Sequence, residues 1–124
     1  MDMSGFKDQF VKEAKEQLSL LDDTLYKLEK NYDDALIVDV KRCFHTLKGN
    51  SAAMGYQNFF ELSKALNDLA NEFIEKEKAW DRNCLLLFKD GKDKLLYALE
   101  YIENDKTEEI DFEGLTEKIK ETIN

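Results

Sequence analysis

The sequence predicts an all-α protein: an antiparallel up-down four-helix bundle with an additional short C-terminal helix. Three observations predict it. The 124 residues hold no proline and only five scattered glycines, so little interrupts helix. Apolar residues recur at steps of three and four, which lines one face of a helix, and no strand-like alternation runs beyond a few residues. Turn chemistry separates these stripes at short intervals, and long helices joined by short turns pack antiparallel.

The first helix is expected over about 5–30, where Phe6, Phe10, Ala14, Leu18, Leu21, Leu25 and Leu28 make one stripe. "NYDD" supplies turn and N-cap chemistry for a second helix over about 34–54, and Gly55 stops it by tolerating the left-handed conformation. A third helix over about 57–76 should bury Phe59, Leu62, Leu66, Leu69 and Phe73. "KAWDRN" breaks the pattern, and Asp81 can cap a fourth helix over about 81–103 that buries Leu85, Phe88, Leu95, Leu99 and Ile102. That helix carries Gly91 at a cost of about 1 kcal/mol. "NDKTEEID" reads as a polar linker, and Phe112, Leu115, Ile119 and Ile123 mark a fifth amphipathic helix over about 111–123.

The length suits one domain, 1–124, with a single core. Apolar content of 43% beside 36% charged residues is that of a globular chain. No apolar run approaches the roughly 18 residues of a membrane span, and "MDMSGFKDQF" lacks the regions of a signal peptide. Cytoplasmic localisation is therefore expected. Cys43 and Cys84 follow no metal-ligand spacing and are expected as free thiols. A net charge of −9 argues against nucleic acid or an anionic membrane as partner.

One stretch departs from this acidity. From Val40 to Phe60 there is no carboxylate, and the stretch holds Lys41, Arg42, Lys48 and the single histidine, His45. At 27 acids in 124 residues, a stretch that long should hold roughly four or five. On a helical wheel, Leu36, Val40, Cys43, Leu47 and Met54 fall within roughly 40° of the side opposite His45, with Phe44 and Ser51 nearer the flank. His45 thus faces away from the core. Lys41, Lys48, Gly49 and Ala52 share its face, Arg42 lies at the edge, and Val38 is the one apolar residue there.

These residues fit an imidazole that carries a phosphoryl group. Neutral imidazole is a nucleophile near neutrality. Lys48, one turn on, can hydrogen-bond phosphoryl oxygens as a point cation. Gly49 puts no side chain over the ring, and absent carboxylates remove like-charge repulsion. Blander readings stand beside this one. A surface histidine is commonly inert, three basic residues make an ordinary solvated face, and an interior glycine often serves helix packing. Metal binding is disfavoured without a second histidine, and nothing resembles a nucleophile elbow. No cofactor is implied.

"HTLKGNSAAMGY", residues 45–56, resembles the H-x-x-K-G-x-S/A-x-x-x-G pattern of histidine phosphotransfer (HPt) domains. The resemblance extends over nearly the whole chain, and "FVKEAKEQLSLLDDTLYKLEKN" with the five-helix plan looks most like the N-terminal phosphotransfer domain of CheA-type chemotaxis histidine kinases. It implies that His45 is the phospho-acceptor, on its Nε2, with Lys48 and Gly49 as close neighbours. CheA-type domains usually carry a histidine and a glutamate on the third helix, the glutamate holding the other ring nitrogen. This chain has Lys64 and Asn67 there.

Antiparallel geometry independently brings residues 64–68 across from His45, so Asn67 is expected to orient the ring through Nδ1–H. Lys41, Arg42, Ala52 and Lys64 are expected to meet partners. The implied role is a phosphohistidine carrier that passes its phosphoryl group to an aspartate of a response-regulator receiver domain. Its donor would be a histidine kinase ATP-binding domain, in the same chain or another, and Mg²⁺ would be held by the receiver. The chain shows no nucleotide-binding loop of its own. The rival readings are a non-catalytic helical adaptor acting through its acidic faces and, more weakly, a small helical hydrolase.

Overall fold

The computed structural model describes residues 4–107 and 110–124. The described residues form five helices: α1 (Ser4–Lys30), α2 (Asp34–Met54), α3 (Gln57–Glu75), α4 (Arg82–Glu103) and α5 (Glu113–Ile123). α1 packs against α2 and α4, and α3 against the same two, which closes a ring of four neighbours. α5 lies against α3. The connections after α1, α2 and α3 are short, so successive helices run antiparallel.

Helix ends follow the expected chemistry. Asp33 caps α2, its side chain accepting from the Ala35 N–H at 2.8 Å. Gly55 ends α2 with φ 76° and ψ 21°, and its own N–H bonds back to the Ala52 carbonyl. Asp81 accepts from the Cys84 N–H at 2.8 Å to start α4. α5 starts at Glu113, two residues later than expected, because Phe112 sits outside the helix and Asp111 accepts from the Glu113 N–H at 3.1 Å. Residues 108–109 of the expected linker lie outside the described residues.

The apolar stripes meet as one core, from Phe10 and Leu28 of α1 through Val40 and Leu47, Leu62 and Phe73, and Leu95 and Ile102 to Ile119. Two expectations change. Phe6 belongs to the α1 stripe by spacing but is 56% exposed. Lys7 already reaches the Glu103 carbonyl and Asp105 at the end of α4, so the helix has run past its partner when it reaches Phe6. Phe44 and Ser51, read as flank positions, are fully buried. α2 has α1 on one side and α3 on the other, which covers its flanks as well as its stripe.

"KAWDRN" also does more than break a pattern. Trp80 stacks on Phe88 at 6.2 Å between ring centres and meets Phe73 edge-on at 5.2 Å, with Tyr32 at 5.3 Å. This aromatic cluster closes the end of the bundle where α2 begins and α3 ends. At the other end Ile110 is buried inside the linker, and its carbonyl accepts from Asn58 Nδ2. That bond ties the approach to α5 onto α3.

Candidate functional site

α2 has one open face. Opposite it, Cys43 Sγ donates to the Gln17 carbonyl of α1 at 3.5 Å. Near the start of the helix, Ile37 and Val38 line a groove together with Phe73 and Ile74 of α3. His45 stands on the open face, about two turns beyond Val38, and is exposed. Gly49 is exposed one turn on, and a β-carbon there would meet nothing within 4 Å. Gly49 therefore makes no helix packing contact, and the bland account of it fails. What the missing side chain does is leave the approach to the ring open.

The basic residues divide into two groups. Lys41 and Lys48 lie half-buried along α2 with no ion-pair partner among the described residues. Arg42 pairs with Asp39 at 2.9 Å, and Lys64 pairs with Asp68 at 3.3 Å. Asp39 is the last carboxylate before the acid-free stretch and stands three residues before Arg42, within reach on the helix, so Arg42 is neutralised while Lys41 and Lys48 are not. Ala52 is exposed and adds no bulk. Burial pushes the Cys43 thiol up to about 12, and burial with the neighbouring Asp81 does the same for Cys84. Both sulfurs stay protonated and inert. The imidazole is the accessible nucleophile of this face.

Asn67 is buried, at 5% exposure. The groove fixes its height relative to α2. Val38 and Ile74 line that groove together, and about two helical turns from each, in opposite chain directions, lead to His45 and to Asn67. Asn67 thus comes level with His45. The expected hydrogen bond is nevertheless not made: Asn67 Oδ1 is buried with no partner. Ser63 Oγ, one turn before it, and Asn71 Oδ1, one turn after, are likewise buried and unpaired. Sequence reasoning missed this ladder. Its signal was present, since Ser63, Asn67 and Asn71 repeat every four residues beside the apolar stripe of α3.

Among the described residues, no three His, Cys, Asp or Glu side chains gather as metal ligands would. The face instead offers an exposed imidazole, two unpaired ammonium groups and an uncovered backbone. Such a set can hold a transferable anionic group on nitrogen and leave its far side open to a second protein.

The Hpt domain family model matches residues 5–105. The chain belongs to the Hpt domain family. This Hpt domain is 34% identical over 104 residues to chemotaxis protein CheA of Bacillus subtilis (strain 168), covering 83% of this chain and 14% of that protein. Chemotaxis protein CheA of Halobacterium salinarum (strain ATCC 29341 / DSM 671 / R1) is 26% identical over 122 residues, 98% of this chain and 18% of that one. The chain thus spans less than a fifth of either relative's length. Among solved structures, the phosphorylated P1 domain of CheA3 in complex with CheY6 from R. sphaeroides superposes with a TM-score of 0.84. That match covers 98% of this chain and 97% of the other at 20% identity, which establishes a shared fold. No helix among the described residues is long and apolar enough to cross a membrane.

Proposed function

We propose that this Hpt domain is a phosphohistidine carrier with His45 as its acceptor, working within a CheA-type chemotaxis pathway. The observation that carries the assignment is the exposed His45 beside an open Gly49 and the unpaired Lys41 and Lys48, on a stretch of α2 that carries no carboxylate. In the first step the Nε2 lone pair attacks the γ-phosphorus of ATP held by a kinase domain, forming N–P as ADP leaves. In the second, an aspartate oxygen of a receiver domain attacks phosphorus, and the N–P electrons return to the imidazole. Lys41 and Lys48 supply cations to the phosphoryl oxygens in both states. Asn67 is the residue we assign to hold Nδ1–H, since its buried Oδ1 lacks a partner and helix register sets it near the height of His45. Lys64 and Arg42 act at the rim of the partner surface, and Ala52 keeps it flat.

The reading supposes one domain over 1–124, located in the cytoplasm where ATP and receiver domains meet, with no cofactor of its own. The R. sphaeroides P1 domain was solved phosphorylated and bound to CheY6, which supports the choice of a receiver as partner. The test is incubation with a CheA-type kinase domain and γ-labelled ATP, followed by a receiver domain. Label on the chain that is acid-labile, alkali-stable, absent in His45→Gln and chased onto the receiver is the expected result. A folded chain that takes no label from any CheA-type kinase would support the adaptor reading instead.

A further inference from the structure

We propose that the groove beside Trp80 is a second docking point for the receiver domain, taking an apolar side chain flanked by lysine or arginine; this rests on the carrier reading. The groove lies between the first turns of α2, the last turns of α3 and the connection after it, and encloses about 680 Å³. Ile37, Val38, Phe73, Ile74 and Trp80 make its apolar wall. Val38 is 39% exposed there, which leaves an apolar surface open to water at the mouth. The wall is preformed: Trp80 is fixed by its stack on Phe88 and its edge contact with Phe73. A pocket that needs no rearrangement loses little on binding.

Two features choose the occupant. The first is continuity with the acceptor face. Val38 lies on the His45 side of α2, about two turns or 11 Å away. A partner seated on His45 with an ordinary footprint of about 800 Å² must therefore overlie Val38. Any donor domain tethered to this chain would reach His45 at high effective concentration. A receiver arrives by diffusion and gains most from an anchor. The second feature is charge. Asp34 and Glu77 stand at the mouth against Lys78 alone. Tyr32 on the same wall is pushed up to about 12, by burial first and then by the Asp34 carboxylate, with Asp33 adding to the field. A basic residue beside the apolar anchor complements that field. Glu77 is held there with φ 53°, in the left-handed region, while the next N–H, of Lys78, bonds to the Glu72 carbonyl at 3.0 Å. This left-handed closure of α3 fixes Glu77 in place beside the groove.

The experiment titrates a receiver domain that accepts phosphate from the wild-type chain against Val38→Glu, Ala79→Glu and Glu77→Lys. Circular dichroism confirms each fold, and exposed Leu96→Glu on α4 serves as the control surface change. Dissociation constants at least tenfold higher for all three groove variants, with Leu96→Glu unchanged, are expected. Wild-type affinity in Val38→Glu and Ala79→Glu overturns the proposal. So does a defect confined to phosphorylation by the kinase domain, which would assign the groove to the donor. Phosphoramidate, a small-molecule donor, tests the carrier reading separately on the wild-type chain. Failure to label His45 brings down that reading and this inference together, whereas labelling with unchanged receiver affinity brings down this inference alone.

Discussion

Gly91 of α4 lies directly beneath Leu66 of α3: a β-carbon on Gly91 would stand 2.5 Å from Leu66 Cδ1 and 2.8 Å from Cδ2. Leu66 is fully buried and cannot swing away into solvent. The glycine is thus a packing residue, set where two helices approach closely. Gly91→Ala gains about 1 kcal/mol of helix propensity but must displace Leu66 within a filled core, which costs about 1–3 kcal/mol. A net loss of about 1 kcal/mol is expected, read as a lower urea midpoint with unchanged slope. A midpoint at or above wild type would mean that Leu66 repacks freely.

Gly49 should behave in the opposite way. A β-carbon there meets nothing within 4 Å, so Gly49→Ala should stabilise the domain by up to about 1 kcal/mol through helix propensity alone. Gly49→Leu should fold equally well yet slow transfer to the receiver at least tenfold, because its side chain occupies the approach to His45. Stopped-flow transfer and thermal melts separate the two effects. Wild-type transfer in a stabilised Gly49→Leu would show that access does not explain this glycine.

Asp81 gives a pH-dependent test of the fold. Its carboxylate accepts from the Cys84 N–H, and that bond holds its pKa below the ordinary 3.8 despite slight burial. A depressed folded pKa contributes stability that is fully present above the unfolded value and lost as pH falls through the folded one. Asp81→Ala should therefore cost about 1 kcal/mol near neutrality, or about 4 °C in Tm. The gap from wild type should narrow as pH falls below 3.8. Asp81→Asn keeps an acceptor and should lose less. A pH-independent gap would exclude the charged cap as the cause.

The residues themselves explain what could be read from the sequence. Helix stripes and caps are local patterns, so α1 to α4 could be placed within a residue or two from Leu, Asp and Gly positions alone. The outward direction of His45 followed from one wheel. Phe6 was misplaced because a stripe does not say where the partner helix ends. Trp80 was missed because a loop aromatic has no period, and Gly91 because its neighbour lies on another helix. For Asn67 the helix register gives a height along α3, but height does not decide a hydrogen bond. That depends on rotamers of two side chains, which no spacing encodes.

Asn67 is the assignment most open to test. Its Oδ1 is buried and unpaired, and an unsatisfied buried acceptor costs about 1–3 kcal/mol. If the residue served only the fold, replacing it with a similar apolar group should help and harm nothing else. Asn67→Leu should indeed raise stability by about 1 kcal/mol, by removing that oxygen. On the carrier reading it should also slow phosphorylation of His45 by roughly tenfold, about 1.4 kcal/mol, since Nδ1–H loses the acceptor that keeps Nε2 free. Stability and rate then move in opposite directions, which a purely structural residue would not produce. Asn67→Gln, which restores an acceptor one methylene further out, should recover part of the rate. Nitrogen-15 NMR of the ring should find mixed tautomers in Asn67→Leu and a dominant Nδ1–H form in wild type. An unchanged rate and tautomer in Asn67→Leu would remove Asn67 from the site and leave the Ser63, Asn67 and Asn71 ladder without a role in the chemistry.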